Sequence, residues 1–151
     1  MQISNKCYYA LHALFVLASE YSRSGPIKIA AIASRQNIPK RFLEVILSEL
    51  RQGGFVESRR GVDGGYLLAR RPGNITIGEV VRFVDGDIAP VSCVAEDSDK
   101  AECELNLQCP FYEFWLYVKK TLDSVYEGTS LADIVESWSK RSAEINLSYE
   151  I

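Results

Sequence analysis

The sequence predicts a mainly α-helical fold that carries one small β-hairpin, and three observations predict it. Apolar residues recur at three- and four-residue spacing through the N-terminal part of the chain, the signature of amphipathic helices. Two short strand-like runs flank the glycine-rich stretch Gly61-Val62-Asp63-Gly64-Gly65, the pattern of a hairpin. After Pro110 an aromatic-rich stripe of Phe111, Phe114, Trp115, Val118, Leu122 and Val125 returns to helical spacing.

Ser4 can cap a first helix that runs to about Tyr21, with Tyr8, Leu11, Leu14, Phe15 and Ala18 as its apolar positions. Ser24-Gly25-Pro26 ends it. A short helix over residues 29–35 turns Ile29, Ile32 and Ala33 inward, and Asn37-Ile38-Pro39 makes a tight turn. A third helix, Lys40–Gln52, buries Leu43, Ile46, Leu47 and Leu50 and stops at Gly53-Gly54. Strands over residues 55–58 and 66–69 form the hairpin. Thr76 and Glu79 have the spacing of a capping box and open a helix through Val80, Val81, Phe83 and Val84, closed by Asp85-Gly86. Pro110 suits the first position of the long helix, and Ser130 opens a last short helix over residues 131–138. The expected division is residues 1–86 for the helix-and-hairpin unit, 87–109 for a cysteine-containing loop, 110–138 for the long and terminal helices, and 139–151 for a polar tail.

At 151 residues with 47% hydrophobic content the chain can bury a real core, as one domain or one domain plus an appended element. No apolar stretch is long enough to span a bilayer and no secretory signal opens the chain, so a cytoplasmic location is expected. The net charge of −3 hides an asymmetry: residues 1–72 carry 11 Lys/Arg against 5 Asp/Glu, and residues 73–151 carry 6 against 15. A basic half joined to an acidic half fits a nucleic-acid face with a separate regulatory or oligomerising part.

Helix, short helix, tight turn, helix and glycine-tipped hairpin form the order of a winged helix-turn-helix. The third helix can enter a major groove, with Lys40 and Arg41 at its N-terminal end. Lys28, Arg51, Arg59 and Arg60 complete a set of cations for DNA, the last two leading into the wing. Three segments carry a resemblance: the opening Met1-Gln2-Ile3-Ser4-Asn5-Lys6, the run Phe42-Leu43-Glu44, and the long stretch from Gly54 through Arg59-Arg60-Gly61-Val62-Asp63-Gly64-Gly65-Tyr66 to Pro72. With Ile75-Thr76-Ile77-Gly78-Glu79-Val80 and Ser130-Leu131-Ala132-Asp133, they make the chain resemble the bacterial winged-helix transcription regulators of the IscR/NsrR/RirA/RsrR/CymR family over residues 1–136. The resemblance implies a homodimer paired through the long helix after Pro110. Such a two-fold dimer reads a palindromic double-stranded DNA operator.

Cys93, Cys103 and Cys109 stand in the loop where cluster-binding members of that family carry three cysteines, whereas members such as CymR lack the cluster. Thiolates are soft ligands for iron–sulfur clusters or zinc and need a fourth partner. The resemblance implies an iron–sulfur cluster, the 2Fe–2S form placed ahead of 4Fe–4S, that senses iron, redox state or nitric oxide. The nine-residue gap between Cys93 and Cys103 is longer than the family's usual one, and Tyr112 stands where IscR-like proteins have a histidine. His12 resembles the helix-one histidine of RsrR and ranks first as fourth ligand, Cys7 second, and Glu102 or Glu104 third. Competing readings are a cluster-free regulator of the same fold using thiol oxidation, zinc or a protein partner, and a winged-helix protein-interaction module. No nucleophile–base pairing or phosphate-binding glycine loop points to an enzyme.

Overall fold

The computed structural model describes residues 2–23, 25–96 and 108–148. In order it contains α1 (Asn5–Ser19), α2 (Ile29–Gln36), α3 (Lys40–Gln52), β1 (Val56–Arg59), β2 (Gly65–Leu68), α4 (Ile77–Asp85), α5 (Tyr112–Gly128) and α6 (Leu131–Ser148). Short 3₁₀ turns lie at Pro72–Asn74 and Ser92–Val94.

Helix α1 is the centre of the core, with α2, α3, α4, α6 and β2 packed around it. Its buried side chains are Cys7, Ala10, Ala13, Leu14, Val16, Leu17 and Ala18, three of them alanines that let neighbouring helices approach closely. This corrects the apolar stripe expected for α1: Tyr8 is 52% exposed, and Leu11 and Phe15 are only partly covered. The helix is apolar almost all round, so spacing alone could not choose its buried face. Ser4 caps it as expected, its hydroxyl oxygen accepting the Cys7 N–H at 3.0 Å. The Ser4 N–H and hydroxyl in turn donate to Asp85 at 2.8 and 2.5 Å, tying the start of α1 to the end of α4.

The turn between α2 and α3 has Asn37 in the left-handed region, and Ile38 is buried behind it. Leu43, Ile46, Leu47 and Leu50 of α3 are buried, which fixes the opposite face outward. Strands β1 and β2 pair antiparallel with Val56 opposite Leu68 and Arg59 opposite Gly65. A further bridge joins β2 to the entry of α2: the Ile27 N–H donates to the Tyr66 carbonyl at 2.8 Å, and the Tyr66 N–H to the Ile27 carbonyl at 2.9 Å. At Gly65 this bridge leaves no room for a side chain.

Helix α4 begins at the expected cap, with Thr76 Oγ1 accepting the Glu79 N–H at 3.1 Å. The Glu79 carboxylate pairs with Arg70 at 2.7 Å instead. Pro110 does not occupy the first helical position: the Tyr112 N–H donates to the Cys109 carbonyl at 3.1 Å, and that turn delays α5 until Tyr112. The terminal helix is also longer than expected. It runs through Ser148 rather than ending near Trp138, because residues 139–148 hold neither proline nor glycine to stop it, and Glu136 pairs with Lys140 one turn on. Leu131 anchors α6 in the core at 1% exposure. Among the described residues no helix is long and apolar enough to cross a membrane.

Candidate nucleic-acid interface and thiol site

All six cations expected to meet DNA are exposed. Lys28 is the N-cap residue of α2. Lys40 and Arg41 open α3, Lys40 at 3.9 Å from Glu44 one turn on. Arg51 lies in the last turn of α3 and donates to the Ser58 hydroxyl at 3.2 Å, which links the third helix to the wing. Arg59 ends β1, and Arg60 follows at the wing tip. Among the described residues no carboxylate lies within ion-pair distance of Lys28, Arg41, Arg51, Arg59 or Arg60. Among the described residues these five positive charges have no internal counter-charge, the condition for attracting a polyanion.

The thiols divide into two environments. Cys93, in the 3₁₀ turn at Ser92–Val94, and Cys109, just before α5, are free and half-buried. Cys103 lies outside the described residues, as do Glu102 and Glu104. Cys7 is fully buried among Val81 and Ile88. Burial, reinforced by the charge and hydrogen bond of Asp85, pushes its thiol up to about 11, so Cys7 holds its proton at neutral pH.

His12 is half-buried on α1, its ring against Tyr8 at a centroid distance of 4.2 Å. Its Nδ1 faces Gln36 Oε1 at 2.6 Å. A carbonyl oxygen can only accept, so this contact favours the tautomer with the proton on Nδ1, in which Nε2 carries the lone pair. His12 and Gln36, with Leu11, Phe15, Ile77, Leu131, Ile134 and Trp138, line an apolar cavity of about 380 Å³ between α1 and α6. Tyr112 is half-buried in the first turn of α5. Among the described residues of one chain, no three His, Cys, Asp or Glu side chains converge as a metal cage.

One residue of this region escaped sequence reasoning. Lys119 of α5 is only 6% exposed. Its Nζ lies 2.9 Å from Asp123, 3.6 Å from Asp87 and 3.8 Å from Glu96. Burial acts to lower its pKa, but the hydrogen bond to Asp123 and the charges of Asp123, Asp87 and Glu96 outweigh it and raise the pKa overall. A lysine on a helix reads as a solvated charge until its partners are known. The only hint was the density of acids before and after it.

A paired helix-turn-helix and wing bearing uncompensated cations defines the winged-helix class of DNA-binding proteins. Residues 3–137 match the profile of the family described as Rrf2, iron-dependent transcriptional regulator. The chain is 42% identical over 127 residues to an rrf2-like HTH-type transcriptional regulator of Rhodobacter capsulatus, covering 77% of this chain and 83% of that one. It superposes with a TM-score of 0.72 on CymR, the global cysteine regulator of B. subtilis, at 34% identity, covering 91% of this chain and 98% of the other. It superposes equally well, TM-score 0.72, on the IscR of T. potens at 30% identity, covering 91% and 88%. The chain belongs to the Rrf2 family of transcriptional regulators.

Proposed function

We propose that the chain is a homodimeric regulator whose affinity for a palindromic DNA operator is set by an iron–sulfur cluster. Cys93, Cys103, Cys109 and Nε2 of His12 would hold that cluster. The observation that carries the reading is the combination of two half-buried free thiols at the ends of one loop with a histidine whose Nδ1 is engaged by Gln36. A ligand histidine has its other nitrogen fixed in just this way, and Gln36 supplies that fixing partner. Because among the described residues His12 forms no cage with Cys93 and Cys109 within one chain, the reading takes His12 from the partner subunit. Cys7 is the weaker fourth ligand, since metal binding would have to strip a proton from a fully buried thiol.

The exposed Phe111 just before α5, with Phe114, Tyr117 and Val125 on it, is the surface that such a dimer would bury. Lys28, Lys40, Arg41, Arg51, Arg59 and Arg60 of each subunit would meet the operator backbone and base edges. A bound cluster supplies a group that iron limitation, oxidants or nitric oxide can remove or alter. If the two cluster states hold the recognition helices differently, a hundredfold change in operator affinity requires only about 2.7 kcal/mol of coupling.

The test is anaerobic reconstitution followed by iron, acid-labile sulfide and visible absorbance. Coloured protein with iron and sulfide in comparable amounts is expected, and His12→Ala should lose most of both. Colourless protein after competent reconstitution overturns the cluster. A second reading, a cluster-free regulator that responds through its thiols, draws on the equal structural likeness to CymR. It predicts zinc or no metal, and operator binding that changes on thiol oxidation alone.

A further inference from the structure

The loop that carries Cys93 is closed before any ligand is considered. Asp87, immediately after α4, accepts the Glu96 N–H at 2.7 Å through Oδ2. Residues 87 and 96 are thereby pinched together, and Cys93 lies in the turn between them. Ile88 at 1% and Val94 at 7% exposure press the two sides of the loop into the protein. The other oxygen of Asp87 and the Glu96 carboxylate both face Lys119 Nζ, at 3.6 and 3.8 Å. Lys119 is itself held by Asp123 one helical turn on, and Asp123 also lies 3.9 Å from Arg82 of α4.

We infer that Lys119, closing on the Asp87–Glu96 pinch, is a positioning residue that fixes the Cys93 turn against α5. The inference rests on the reading above that Cys93 belongs to the sensing site. The arrangement is electrically one-sided: a single buried ammonium faces three carboxylates. Removing it leaves Asp87 and Glu96 without their shared cation, with Arg82 on the far side of Asp123 as the remaining positive charge, so the pinch opens rather than repacks. Because the lysine stands on the same helix that Cys109 precedes, the clasp joins both described loop thiols to one rigid element. A change at Cys93 therefore reaches α5 through a charged joint instead of dissipating in the loop.

The test is site-resolved alkylation of the metal-free, reduced full-length protein with iodoacetamide, read by mass spectrometry at each cysteine. Fully buried Cys7 serves as the internal monitor of global unfolding. Lys119→Gln should raise the Cys93 rate about tenfold while Cys7 stays protected, since only the clasp opens. Lys119→Arg, which keeps the charge, should bring the Cys93 rate back towards wild type. An unchanged Cys93 rate in Lys119→Gln with Cys7 protected overturns the inference. Should that variant label at Cys7, Asp87→Ala decides the matter, because it removes both the Glu96 acceptor and one Lys119 contact from outside the helices. A Cys93 rate unchanged there is equally fatal. Parallel iron reconstitution of wild type separates the two claims. Opened loops without iron binding leave the clasp standing and remove the cluster; iron binding with unaltered Cys93 rates does the reverse.

Discussion

Gly65→Ala probes how the wing is held beside the helix-turn-helix. An added Cβ would lie 2.6 Å from the Ile27 carbonyl carbon and 3.0 Å from the Lys28 nitrogen, both backbone atoms that cannot swing aside. The backbone there has φ +159°, which a side chain disfavours as well. Such strain costs about 1–3 kcal/mol. Separating Ile27 from Tyr66 forfeits two hydrogen bonds worth about 1 kcal/mol each net. A loss of roughly 3–5 kcal/mol follows, or about 6–20 °C in Tm for a chain of this size. Lys28, the residue next to the bridge, would move with it, so operator affinity should fall beyond what unfolding explains. Urea denaturation and fluorescence anisotropy on the same preparation measure both. Gly61→Ala is the control: it has φ +110° but nothing within 4 Å of the added atom, so it should cost only the backbone term. Equal stability loss in the two variants, or wild-type stability in Gly65→Ala, would refute the argument.

Three further expectations concern single residues. The Cys7 thiol is pushed from 9.0 up to about 11 in the folded chain, which therefore keeps a proton that the unfolded chain releases; its stabilising effect is complete below pH 9 and is lost as pH rises to 11. The loss amounts to roughly 3 kcal/mol, and Cys7→Ala should flatten the fall in urea midpoint over that interval; parallel curves would contradict it. Gln36→Leu removes the acceptor that orients His12, so iron affinity measured by chelator competition should drop about 10- to 100-fold while metal-free operator binding stays unchanged. Undiminished iron affinity would show that the pair is only structural. Arg60→Ala should weaken operator binding similarly on all sequences and reduce the log–log salt slope by about two per dimer, one phosphate per subunit; an unaltered slope removes Arg60 from the interface.

What the sequence disclosed tracked the presence of local punctuation. Helix α3 was legible at both ends because Pro39 precedes it and Gly53-Gly54 follows it, and the four leucine and isoleucine positions sit on one face. The hairpin was legible within a residue because its glycines mark the turn. Helix α6 was read ten residues short, since polarity after Trp138 resembled a tail while nothing there breaks a helix. On α1 the spacing named Tyr8 as an inward position, yet the small residues Ala10 and Ala13 hold that place. Site chemistry was legible as residue types only. That Gln36 orients His12 depends on contact across 24 positions, and the Lys119 clasp gathers groups from three separate segments. No periodicity encodes either.

Cluster control itself is tested most directly by operator affinity of one anaerobic preparation before and after the iron is chelated. The operator is obtained by in vitro selection with the full-length protein. The account predicts a change of about a hundredfold between the two states, abolished in the Cys93→Ser variant. Equal affinities, with iron shown to be present in one sample and absent from the other, would contradict it.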